Sequence, residues 1–285
     1  MARTGAIQNK IMLLTLVPLI LWICAFELVP ILRMLVMSFQ NSDGQGFTLG
    51  QYAKSLSTPL YTQAIWNSLK LALIASVVAL AAALVCGYSI TRMSETVQSR
   101  MLMLSNMTSN FVGVPLAFAY IIMLGNSGAF TMLFRKLGLH SLASFDLYSE
   151  KGLLLIYTYY QIPLAILLIY PVFNAIKNDW KEASALLGAS GWGFWRYVGL
   201  PVMLPGILGT FSMLMANALG AYATAYALMG SNYNLLAIRI AGMVSGDIFP
   251  NFQLASALAV LMAIIMLTAM FINEWMSRRS RRNGV

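Results

Sequence analysis

The side chains able to do chemistry are few in this 285-residue chain, and they do not gather into a catalytic set. There is one histidine, His140, and two cysteines, Cys24 and Cys86, each inside its own apolar run. These supply neither a metal cluster nor a disulfide framework. No GxSxG, HExxH or DxxD-type pattern offers a nucleophile with its base. No GxxxxGK[ST] loop could cradle a nucleotide, since Gly125-Asn-Ser-Gly128 and the glycines at 188, 191 and 193 lack the lysine. The chain is therefore expected to be no enzyme and to carry no cofactor of its own. What remain are polar residues set singly into apolar stretches: Asn110, Gln161, Asn217, Tyr222 and Thr224. Their chemistry is hydrogen bonding, either to a polar solute in transit or to one another, because a buried amide or hydroxyl needs partners.

The composition says what holds such residues. Apolar residues make up 59% of the chain and charged residues 9%, with a mean hydropathy of +0.74. Soluble domains carry about 25% charged residues, so this chain cannot cover a globule with a polar surface and must face lipid. The expectation is an all-α polytopic membrane protein, one transmembrane domain over residues 1–285. Six stretches reach the roughly 20 residues that a bilayer core requires: about 11–39, 65–90, 102–124, 153–176, 203–229 and 254–276. The first is too long for a signal peptide and is followed by no A-x-A site.

The net charge of +9 has a topological reading. With the N-terminus cytoplasmic, Arg3, Lys10, Arg92, Arg100, Lys177, Lys181, Arg196 and the tail Arg278, Arg279, Arg281 and Arg282 lie inside. Lys54, Lys70, Arg135, Lys136, Lys151 and Arg239 lie outside. Eleven against six, with Arg33 left in the first span, accounts for all 18 basic residues and places both termini in the cytoplasm. The tail suits anionic headgroups of membrane lipid rather than nucleic acid, for which a basic stripe is wanted.

A path-lining helix needs small or polar residues on one face. In the fifth span Asn217, Gly220, Ala221 and Thr224 fall at i, i+3, i+4 and i+7, with Tyr222 and Tyr226 on a neighbouring stripe. Tight helix packing selects the same residues, so both readings stand. Asn110 and Pro115 interrupt the third run, and Tyr157, Thr158, Tyr160 and Gln161 precede Pro163 in the fourth. Glu27 and Arg33, six residues apart in the first span, do not share a helix face well and are not expected to hold solute.

The longest inner loop, residues 177–204, is unusual. Asp179 and Glu182 make a capping-box-like start, Trp180, Ala183, Leu186 and Leu187 recur at helical spacing, and Gly188 stops the helix. Trp192, Trp195 and Val198 suggest a second amphipathic turn, which Pro201 and Pro205 break before the fifth span. Such helices lie in the headgroup layer or dock into a groove of a partner protein, and periodicity does not choose between them.

The residue pattern does. Glu182-Ala183-Ser184, Gly188, Trp192, Phe194, Leu200-Pro201 and Pro205-Gly206 resemble the EAA loop of binding-protein-dependent ABC importer permeases, the MetI-like type. The departure is Ser184 for the second alanine, small for small. Asn67-Ser68-Leu69, Gly87-Tyr88, Leu124-Gly125-Asn126-Ser127-Gly128 and Leu219-Gly220-Ala221-Tyr222-Ala223-Thr224 resemble the same superfamily. The last two are closest to its polyamine, ferric-ion, thiamine and phosphonate branch. The resemblance implies six transmembrane helices in a bacterial inner membrane and an inner-face coupling helix that enters a cleft of an ATP-binding subunit pair. Glu182 would pair there with a basic residue, and Gly188 would give the turn. It further implies a second permease subunit and a periplasmic or lipid-anchored solute-binding protein delivering a small polar solute: polyamine-like, iron or phosphonate-like. A secondary transporter would need its own coupling site or paired repeats, and it would leave the loop without a purpose.

Overall fold

The computed structural model describes residues 16–245 and 250–282. Arg3 and Lys10, counted towards orientation, lie outside them. The described chain is helical, and the only pairing outside helices is an isolated bridge between Gln40 and Phe47. The elements are α1 (Leu16–Ser38), α2 (Gly50–Ser57), α3 (Pro59–Ile90), α4 (Glu95–Ser109), α5 (Val114–Leu124), α6 (Ala129–Lys136), α7 (His140–Ala143), α8 (Glu150–Asn174) and α9 (Asn178–Leu186). Then come α10 (Gly191–Gly220), α11 (Tyr222–Met229), α12 (Leu236–Ser245) and α13 (Phe252–Arg282). Six segments are long and apolar enough to cross a membrane, among them Pro59–Ile90 and Glu150–Asn174.

Two expected spans are not single helices. The run expected over 102–124 is split into α4 and α5, because Gly113 takes φ +80 and Pro115 cannot donate a backbone N–H. The apolar segment that follows the break is Val114–Lys136. The run expected over 203–229 breaks at Ala221, whose φ −77 and ψ 67 are not helical. The supposed i, i+3, i+4, i+7 stripe is therefore not one continuous helix face.

The chain forms two compact units, one of residues 1–62 with 240–261 and one of 63–239 with 262–285. In the first, Tyr52 donates to Ser38 Oγ at 2.7 Å, and Gln51 Nε2 donates to the carbonyl of Gln40 at 3.2 Å. These bonds fasten α2 to the end of α1. None of residues 16–37 is buried in the chain.

The second unit has its core between α3 and α8. Along α3, Ala72, Ala75, Ala79 and Ala83 are almost wholly buried, a face of small residues that brings backbones close where hydrophobic force between helices is absent. Gly87 continues it: a Cβ there would come 3.1 Å from both Ile169 and Phe173. At one end of this bundle Lys70 pairs with Glu150 at 2.7 Å, Asn67 donates to the Asn234 carbonyl at 3.1 Å, and Leu236 N–H donates to Ser68 Oγ at 2.9 Å. At the other end Tyr170 donates to Gln98 at 2.6 Å, tying α8 to α4.

Candidate functional site

The loop after α8 holds α9, which has nine residues. Its start differs from the capping box expected of Asp179 and Glu182. The N-cap is Lys177, no side chain bonds the first-turn amides, and Asp179 sits inside the first turn, where its charge favours the helix dipole. Its end agrees with expectation. Gly188 takes φ +78, its N–H donates to the Ala185 carbonyl at 3.0 Å, and Ala189 N–H donates to that of Ser184, also at 3.0 Å. This pair of bonds is a Schellman stop. Glu182 and Ala183 are exposed, Ser184 donates to the Lys181 carbonyl at 2.8 Å, and Leu186 and Leu187 are 89% and 88% exposed. The apolar tip of α9 is covered by nothing among the described residues.

The following turn is held firmly at its root. Ser190 Oγ accepts from Gly193 N–H at 3.1 Å and caps α10. The second amphipathic stripe is not Trp192, Trp195 and Val198: Trp192 is 74% exposed while Phe194 is buried. Trp195 packs edge-on to Tyr88 at 5.6 Å and to Phe173 at 6.5 Å, and the Lys181 ammonium lies 5.8 Å over its ring. One indole thus touches the ends of α3 and α8 and, through Lys181, α9. Nor do Pro201 and Pro205 break the helix. The chain passes through a π-helical turn, Trp195–Gly199, and continues helically to Gly220. A wider turn just before Pro201 accommodates the missing donor and the ring.

The polar residues within the spans fall into two places. The first is where the two helix breaks meet. Gly113 N–H donates to Thr224 Oγ1 at 2.9 Å, and Thr224 is buried. The phenol of Tyr157 donates to the Ala221 carbonyl at 2.6 Å. Each interruption is thus satisfied by a group from another helix, as non-helical backbone at membrane depth requires. On the flanks of these breaks, Asn110 and Asn217 are exposed. Asn110 Nδ2 bonds the Asn106 carbonyl at 2.8 Å. Tyr222 stacks on Tyr226 with ring centroids 5.2 Å apart.

The second place is the α3–α8 interface, where Gln161 is fully buried. It accepts from Ser76 at 3.3 Å, and its Nε2 has no partner among the described residues. Gln161 is thus apart from any exposed face of this chain. Gly113, Tyr157, Ser76 and Trp195 were not singled out for these contacts by sequence reasoning. Of these, only Gly113, two residues before Pro115, carried a local signal. A groove of about 950 Å³ beside Gly206, Gly209, Met213, Leu267 and Phe271 is mostly apolar, with Glu274 in its wall, and is distinct from both places.

Residues 5–282 match the family of binding-protein-dependent transport system inner membrane components. The chain belongs to this family. The importer permease is 25% identical over 280 residues to the spermidine/putrescine transport system permease protein PotB of Haemophilus influenzae, covering 93% of this chain and 94% of that one. It is 26% identical over 251 residues to the sulfate transport system permease protein CysW of Escherichia coli, covering 87% and 82%. Among solved structures it superposes on a bacterial ABC transporter involved in import of the acidic polysaccharide alginate, with TM-score 0.73, 16% identity and coverage of 97% and 98%. With the methionine transporter MetNI in an inward-facing conformation the TM-score is 0.57, at 19% identity and coverage of 78% and 96%. The chain is thus an all-α, multi-pass inner-membrane permease subunit of an ABC importer, and ATP hydrolysis is the work of a separate subunit.

Proposed function

We propose that this permease forms one half of a translocation path for a polyamine-class organic cation, driven through α9 by an ATP-hydrolysing subunit pair. A second permease subunit completes the path, a periplasmic or lipid-anchored binding protein supplies the solute, and both termini are cytoplasmic. The observation that carries the mechanism is the tip of α9, with Leu186 and Leu187 almost fully exposed immediately before a Schellman stop at Gly188. An uncovered apolar tip on a rigidly terminated helix suits a groove of another protein. Glu182 and Ala183 on its exposed side would face that groove, with Ser184 behind them. Trp192, Phe194, Pro201 and Pro205 carry the displacement into α10, and Trp195 spreads it to α3 and α8.

Two things support the solute class. The PotB relative is named for spermidine and putrescine. Moreover, no charged residue occurs between Asn106 and Leu124 or between Leu200 and Met229, where Asn110, Asn217, Tyr222 and Thr224 sit. Amide oxygens and aromatic rings bind an ammonium group, whereas a sulfate in the same place would find no cation. Gln161 supports this path from behind, through α3.

The test is ATP hydrolysis by the assembled importer in proteoliposomes, stimulated by its binding protein loaded with putrescine, spermidine or sulfate. Stimulation by the polyamines is expected. Stimulation by sulfate alone would overturn the solute class, and uptake by this chain without ATP or an ATPase would overturn the mechanism.

A further inference from the structure

Arg33 is the one basic residue inside the first apolar segment, and an intramembrane charge is retained only where something answers it. Among the described residues no carboxylate lies within ion-pair distance, and the only ion pair there is Lys70 with Glu150. Glu27 stands six residues deeper on a different face of α1. Arg33 lines a cavity of about 460 Å³ with Met34, Met37, Val244, Phe252 and Ser256, within one compact unit. Apart from the guanidinium and the Ser256 hydroxyl, the walls are apolar. The Arg33 backbone is five residues from the helix end at Ser38, about 7.5 Å along the axis at 1.5 Å per residue. An arginine side chain is long enough to span such a depth.

We infer that this cavity binds one membrane phospholipid, its phosphate held by Arg33 and an acyl chain lying against Met34, Met37, Val244 and Phe252. The complementarity is of both kinds: a planar donor fork suits a phosphate diester, and thioether and aromatic walls suit a flexible hydrocarbon. A protein carboxylate would satisfy the charge and leave the apolar cavity empty. A free phosphate would satisfy the charge and leave the same walls unused. A phospholipid satisfies both.

The test uses the intact importer complex, extracted in mild detergent, washed until bulk lipid is gone, and read by native mass spectrometry and phosphorus assay. Wild type is expected to keep one phospholipid per copy of this chain. Arg33→Leu should lower that retention about tenfold, the loss expected from one charge-assisted contact. Val244→Trp fills the cavity while leaving Arg33 in place, and it should lose the lipid as well. Phospholipid added back to stripped complex should raise the Tm of wild type and of neither variant, and inorganic phosphate should raise none. Retention of the lipid by both variants overturns the inference. So does an Arg33→Leu phenotype that Glu27→Gln reproduces while lipid retention is unchanged, because a carboxylate is then the partner. If Arg33→Leu does not assemble, Val244→Trp decides alone by the same readout.

Discussion

Replacing Gly188 by alanine separates backbone conformation from packing. Gly188 takes φ +78, and a Cβ built there meets no atom within 4 Å. No steric clash adds to the effect, so the penalty is that of a left-handed conformation for an L-residue, about 1–2 kcal/mol. It falls on α9, nine residues long and too short to persist in water by propensity alone. A change of that size alters the population of the stopped helix by a factor of about 5–30. ATP-driven uptake by the assembled importer in proteoliposomes is expected to fall in that range. The Tm of the membrane bundle should not move, because the tip of α9 packs on nothing among the described residues. Gly188→Asn should fall between the two, since asparagine visits the left-handed region more readily. Gly191→Ala serves as control: that glycine has no positive φ and also faces open space, so uptake should stay at the wild-type level. Full uptake by Gly188→Ala, or an equal loss in Gly191→Ala, would refute the reasoning that the stop at residue 188 sets the orientation of a working helix.

Three further outcomes follow from the hydrogen bonds. Thr224→Val removes the acceptor of Gly113 N–H and leaves that amide orphaned in a part-buried place, costing about 1–3 kcal/mol; Thr224→Ser should recover most of it, as read by unfolding in bicelles. Tyr157→Phe deletes the donor to the Ala221 carbonyl and should cost about 0.5–1.5 kcal/mol in the same assay without loss of the ring packing. Tyr233, in the loop after α11, has its phenol pushed up to about 12, first by burial and then by the charge and hydrogen bond of Glu150. Since its folded value lies above the unfolded one, its contribution to stability is constant below about pH 10 and is lost as pH rises towards 12. Glu150→Gln should lower the phenol's titration midpoint, followed by absorbance of the tyrosinate.

Much of this fold is legible in the sequence because lipid imposes a coarse rule: every span must be long and apolar. The placement of Gly188 is legible for a local reason, since only glycine takes φ +78 without strain. The break at Gly113 is half legible, from glycine and Pro115 together. The break at Ala221 is not. Alanine is the best helix former, and what takes up its carbonyl is Tyr157, 64 positions away. The same limit governs Gln161, whose type signals a polar site while its position on α8 turns it towards Ser76. Asp179 shows the complementary case: a plausible capping pattern is overridden because the N-cap falls two residues earlier, at Lys177. Trp192 and Trp195 are indistinguishable by composition, yet only Trp195 meets Tyr88 and Phe173.

The crosswise stitching of the two interruptions has a consequence for anyone recombining such permeases. The amide at 113 depends on the hydroxyl at 224, and the carbonyl at 221 depends on the phenol at 157, so four positions on three separate stretches form one inheritance unit. A chimera that imports the last third of a relative while keeping the host's middle must bring matching groups at both joints. Otherwise it leaves an orphaned dipole in hydrocarbon at a site that no alignment of apolar runs would flag.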